Sequence, residues 1–126
     1  MTRLFHRYPM LRIDRVLAVV PGRSATAVFV PSGNDALVRS GPFYPAMLLV
    51  EAMAQTAAIF GEGAGRTESG TLASFHDVTF GDPVRVGVPV TVTSSFVGGF
   101  GKLLRMHGRA EATGQVAAEG DITIAL

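Results

Sequence analysis

Glu51 and Gln55 are the residues of this chain whose types and spacing could do chemistry. They stand in the run Tyr44-Pro45-Ala46-Met47-Leu48-Leu49-Val50-Glu51-Ala52-Met53-Ala54-Gln55-Thr56-Ala57-Ala58-Ile59-Phe60, which is almost wholly apolar and of helical composition. At positions i and i+4 they share one helix face, a single turn apart. A carboxylate inside an apolar helix is costly unless it is paired, exposed or used. Used, Glu51 could exchange a proton with a bound substrate or attack it, with Gln55 holding its orientation. Unused, it is a carboxylate satisfied by Gln55 or by backbone at a dimer interface.

The chain has three histidines, of which His76 could add a base. His6 lies near the N-terminus. His76 falls in a strand-like run with His76, Val78 and Phe80 on one face, as a possible base or as a strand histidine paired with a neighbour. His107, in Arg105-Met106-His107-Gly108-Arg109, reads as a solvated sheet position. With no paired histidines and no carboxylate cluster, neither a metal nor another cofactor is expected.

The elements that must position these groups follow from periodicity. Residues 11–19 alternate apolar and polar as a half-buried strand does. Pro21-Gly22 is a turn signal, and 24–30 reads as the second strand of a hairpin. Residues 31–43, with Pro31, Gly33, Asn34, Asp35, Gly41 and Pro42, read as a loop. The helix is expected from about Pro45 to Phe60, ended by Gly61, Gly63 and Gly65. Strands are expected over 71–80, 88–98, 102–112 and 115–125, with Gly99, Gly101 and Gly114 at the turns. Two strands, one long helix and four strands make an α+β chain. Its simplest arrangement is one antiparallel sheet of five to six strands wrapped around one central helix, as a single domain over 1–126.

Bulk properties bound the function. The chain has 126 residues, 48% of them hydrophobic and 17% charged. That supports a sizeable core under a thin polar surface, so a partner subunit is expected to cover leftover apolar area. The formal net charge is +1, and no Lys/Arg cluster stands out, which argues against nucleic acid. There are no cysteines, so disulfides, thiolate metal sites and a Cys nucleophile are excluded. The apolar run is too short to span a membrane, and Met1–Arg7 lacks a signal-peptide core. A cytoplasmic protein is the expectation.

The helical run resembles the central helix of the hot-dog fold, in particular that of the beta-hydroxyacyl-(acyl carrier protein) dehydratases. Three further segments are similar to that family in order and spacing. They are His6-Arg7-Tyr8-Pro9-Met10-Leu11-Arg12-Ile13-Asp14-Arg15-Val16, then Phe80-Gly81-Asp82-Pro83-Val84-Arg85-Val86-Gly87, then the last two strands. Val86 stands where the family usually has proline.

The resemblance implies Glu51 as the site carboxyl, with Gln55 beside it. It implies a substrate-binding surface at Leu37, Ala46, Met47 and Leu48, and gives His6 a structural role. The family also places a histidine fourteen residues before the helix glutamate, and here that position is Leu37. The glycine whose N–H helps polarise the thioester carbonyl is Ala46. Dehydrating a 3-hydroxyacyl thioester needs an alpha proton removed and the leaving hydroxyl protonated, and Glu51 alone covers one role.

Four readings stay open. The chain resembles histidine-lacking dehydratase-like members of polyene and polyketide clusters. It would then be a non-catalytic or partner-dependent subunit in fatty-acid or aryl-polyene-type synthesis. It would meet a thioester on acyl carrier protein or coenzyme A, and form a homodimer or a heterodimer with a histidine-bearing dehydratase. Alternatively it is an active dehydratase or isomerase using Glu51 with another group. It could be an acyl-thioester hydrolase using Glu51 as base or nucleophile, or a plain acyl-binding module. Arg85, Arg105 and Arg109 are candidates for contact with the carrier.

Overall fold

A computed structural model of the protein describes residues 13–32, 41–63 and 71–125. The elements are β1 (Arg15–Val20), β2 (Ser24–Phe29), α1 (Ala46–Gly63), β3 (Thr71–Phe80), β4 (Val90–Phe100), β5 (Leu103–Ala112) and β6 (Gln115–Ala125). The strands form one antiparallel sheet in the order β1-β2-β4-β5-β6-β3. This is the expected arrangement, with six strands. His6, most of the opening segment and Leu37 lie outside the described residues.

Alternation sets the two faces of the sheet. Ala25, Ala27 and Phe29 of β2 are buried, as are Val90, Val92 and Ser94 of β4. So are Leu104, Met106 and Ala110 of β5, and Ala118, Ile122 and Ile124 of β6. Residues two apart share a face, so these side chains line one side of the sheet, and α1 packs on that side. From Ala52 to Gly61 the helix is buried around its whole circumference. A helix apolar all round needs such an enclosure. Among the helix residues whose burial is described, Ala46 and Met47 of the first turn are exposed.

The helix runs through Gly61, the first of the glycines expected to end it, and on to Gly63. Glycine costs roughly 1 kcal/mol in a helix, and burial of the surrounding apolar positions outweighs that. Gly99 likewise lies within β4, and the β4–β5 turn is made at Gly101, whose φ is 58°. Thr113 and Gly114, both with positive φ, make the β5–β6 turn.

The helix sits close on its sheet. A Cβ built on Gly108 of β5 would lie 2.8 Å from the Met53 sulfur and 2.9 Å from the Met53 Cβ. Ser94 Oγ donates to the Met53 carbonyl at 2.9 Å, tying β4 to the middle of α1. Thr56 satisfies its buried hydroxyl within the helix by donating to the Ala52 carbonyl at 2.8 Å.

Candidate functional site

The segment after β3 fixes the approach to the helix. Tyr44 N donates to the Val84 carbonyl at 2.7 Å, Val86 N to Pro42 at 2.9 Å, and Gly87 N to Pro31 at 2.8 Å. Gly87 has a φ of 93°, which glycine adopts without strain. The Tyr44 ring packs on Phe29 of β2, with centroids 5.2 Å apart. Residues 42–44 are thus held between a strap and the sheet. Leu48 N donates to the Pro45 carbonyl at 3.0 Å, which tightens the first turn.

One and a half turns further along α1, Gln55 Nε2 donates to Glu51 Oε1 at 3.3 Å. Gln55 is fully buried, whereas Glu51 is half-buried. The arrangement is a carboxylate reaching toward the surface from an apolar helix, with a buried amide behind it. The expected i,i+4 pairing is therefore present. Ala46 is exposed, Met47 is 52% exposed and Leu48 is half-buried. The expected substrate-binding residues of the helix thus form an outward surface at its N-terminal end. This end of the helix carries the positive end of its dipole, which favours an oxyanion or a polarised carbonyl.

Arg85 belongs to the same end. Its guanidinium lies 5.1 Å from the centroid of the Phe43 ring, and the two residues also form an isolated backbone bridge. A cation held over an exposed aromatic ring is a ready contact for an anionic or acidic partner. Arg105 and Arg109 are elsewhere. They project from β5 away from the helix and bind Asp121 at 2.9 Å and Glu111 at 3.0 Å.

Neither described histidine joins Glu51. His76 registers with Asp121 on the face turned away from α1, and its Nε2 lies 3.5 Å from Asp77 Oδ2. The expectation that His76, Val78 and Phe80 share a face fails. A bulge between His76 and Thr79, with Asp77 at φ 53°, breaks the alternation and turns Val78 inward over Gly120. His107 is also on the outward face. It is not merely solvated: its two ring nitrogens meet Asp121 and Glu119, at 3.0 and 2.9 Å. No periodicity or motif in the sequence points to that pairing, or to the contacts of Ser94 and Arg85.

No family model matches the chain. Among curated proteins, the chain is 35% identical over 144 residues to the 3-hydroxyacyl-[acyl-carrier-protein] dehydratase FabZ of Bordetella pertussis, covering 100% of this chain and 91% of that protein. It is 32% identical over 131 residues to FabZ of Zymomonas mobilis, covering 98% and 83%. Among solved structures, the dehydratase heterocomplex ApeI:P from Xenorhabdus doucetiae superposes with a TM-score of 0.80 at 18% identity, over 98% of this chain and 87% of that one. The smu.793 protein of Streptococcus mutans bound to acetyl CoA superposes with a TM-score of 0.73 at 9% identity, over 97% and 90%. The structural likenesses are to the hot-dog fold, one antiparallel sheet around one helix. Among the described residues, no helix is long and apolar enough to cross a membrane.

Proposed function

The chain belongs to the FabZ-type 3-hydroxyacyl-[acyl-carrier-protein] dehydratase family, and from that premise we propose that it is a partner-dependent dehydratase subunit, incomplete alone. One observation carries this reading. Glu51 and Gln55 are paired on the helix, while the family's histidine position is Leu37 and both described histidines stand on the opposite face of the sheet.

In the complete reaction a base removes the C2 proton of a 3-hydroxyacyl thioester. The C2–H electrons form the C2–C3 double bond, and the C3 hydroxyl leaves as water after taking a proton from an acid. Glu51 suits the acid role, with Gln55 holding the carboxyl in place. The Ala46 amide and the first turn of α1 would receive the thioester carbonyl, whose oxygen gains negative charge as the C2 proton leaves. Met47, Leu48 and Leu37 would line the acyl chain. The base must then come from elsewhere, and a histidine-bearing dehydratase paired with this chain supplies it. The likeness to a dehydratase heterocomplex supports such a pairing. Acyl carrier protein is the favoured carrier, because the relatives are named for it, and Arg85 is the favoured contact for its acidic surface. The setting is fatty-acid or aryl-polyene-type synthesis in the cytoplasm.

A second reading keeps one specific support. A single oriented carboxylate can activate water or attack a thioester, so Glu51 could serve a hydrolase. The deciding experiment assays the purified chain alone, and mixed with a histidine-bearing dehydratase whose own helix glutamate is replaced by glutamine, on 3-hydroxyacyl thioesters of acyl carrier protein and of coenzyme A. Enoyl product from the mixture but not from the chain alone is expected. Dehydration by the chain alone at ordinary enzyme rates would refute the partner-dependent reading.

A further inference from the structure

On the face turned away from α1, β5 presents Arg105, His107 and Arg109, and β6 presents Glu119 and Asp121. The imidazole of His107 lies between two carboxylates. Its Nδ1 is 3.0 Å from Asp121 Oδ1, and its Nε2 is 2.9 Å from Glu119 Oε2. The other oxygen of Asp121 accepts from Arg105 Nη2 at 2.9 Å.

An ionised carboxylate only accepts. A neutral imidazole has one N–H, so it would satisfy one carboxylate and set a nitrogen lone pair against the other. The imidazolium, with two N–H groups, fits both. Among the described residues, the neighbouring strand positions bring no competing partner. From β4, Ser95 registers with His107 and Thr93 with Arg109, and neither carries charge. From β3, His76 registers with Asp121, but its ring is 3.5 Å from Asp77. Thr79 registers with Glu119. Arg109 is engaged by Glu111 at 3.0 Å.

We propose that His107 is a pH-gated clasp between the interior strands β5 and β6. Charged, it ties both outward carboxylates of β6 to β5. Neutral, it releases one of them. The charged state also balances the cluster, with Arg105, His107 and Arg109 against Glu111, Glu119 and Asp121. The neutral state leaves that face net acidic. The clasp sits behind the helix turn that bears Glu51 and Gln55, because the next residue, Gly108, lies beneath Met53.

The direction of the pH dependence follows from both partners. The hydrogen bond to Glu119, then that to Asp121, holds the His107 pKa above its ordinary 6.5, against the opposing effect of burial. Its stabilisation is therefore complete below the unfolded value and is lost as pH rises through the folded one. The Asp121 pKa is held below its ordinary 3.8, first by His107 and then by Arg105. Its stabilisation is complete above the unfolded value and is lost as pH falls through the folded one. The clasp is closed across the range between and opens at either end.

The test is an NMR titration of the full chain from about pH 5 to about pH 9, following the His107 ring. Thermal unfolding is measured over the same range for wild type, His107→Gln and His76→Gln. A His107 midpoint above 6.5 is expected. So is a fall in melting temperature through that midpoint, present in wild type and His76→Gln and absent from His107→Gln. A midpoint at or below 6.5 would overturn the proposal, as would a His107→Gln profile parallel to wild type. Should His107→Gln fail to fold, the wild-type titration still decides.

Discussion

Gly108 of β5 lies beneath Met53 of α1, so close that a Cβ on it would stand 2.8 Å from the Met53 sulfur. The missing side chain lets the helix settle on the sheet at the turn between Glu51 and Gln55. Gly108→Ala should overpack this contact and cost about 1–3 kcal/mol. The Met53 thioether can swing aside, but the Met53 Cβ, 2.9 Å from the added methyl, moves only with the helix, so the cost is not confined to the lower part of that range. Denaturant midpoints of Gly108→Ala, and of Gly108→Ala with Met53→Ala, check it. The second substitution should cost less in the Gly108→Ala background than in wild type, because the two changes relieve each other.

Ser94→Ala removes the donor that ties β4 to the Met53 carbonyl. That carbonyl keeps its intrahelical partner, so no acceptor is orphaned. A loss of about 1 kcal/mol is expected, read as a shifted midpoint with unchanged slope. Ser94→Val, which also adds bulk under a buried helix, should cost more.

Leu37→His returns an imidazole to the position the family uses. In the chain alone it should produce measurable dehydration of a 3-hydroxyacyl thioester, followed by the absorbance of the conjugated enoyl product. Adding Ala46→Gly should raise the rate further, by letting a bound thioester approach the first helical amide more closely. No gain in either variant would mean that the missing histidine is not what limits this chain.

Much of the fold was legible because burial here follows simple periods. The bounds of β3 and β6 match the strands expected over 71–80 and 115–125, and the Glu51–Gln55 pairing follows from helical spacing alone. What escaped lies between elements. A tight turn at Thr113-Gly114 pairs Ala112 with Gln115, and a straight register from there would set His107 against Gly120. A bulge between Ala110 and Glu111 shifts the register by one and brings Asp121 opposite His107 instead. The same kind of irregularity at Asp77 put His76 on the outward face. Bulges carry little local signature, so side chains beyond them are assigned to the wrong neighbour.

Glu51→Gln separates the partner-dependent reading from the hydrolase. The change is nearly isosteric, and an amide oxygen at position 51 can still accept from Gln55 Nε2, so the fold and melting temperature should hold. Mixed with a histidine-bearing dehydratase, this chain would be masked by active homodimers of the partner. The informative mixture therefore uses a partner whose own helix glutamate is replaced by glutamine. With that partner, wild-type chain should restore dehydration through Glu51, and Glu51→Gln should lower it by about 10²–10⁴-fold, the usual scale for losing one member of an acid–base pair. The chain alone should hydrolyse no acyl thioester, with or without the substitution. Hydrolysis by the wild type that disappears in Glu51→Gln, with the fold intact, would instead make Glu51 the base or nucleophile of a thioesterase.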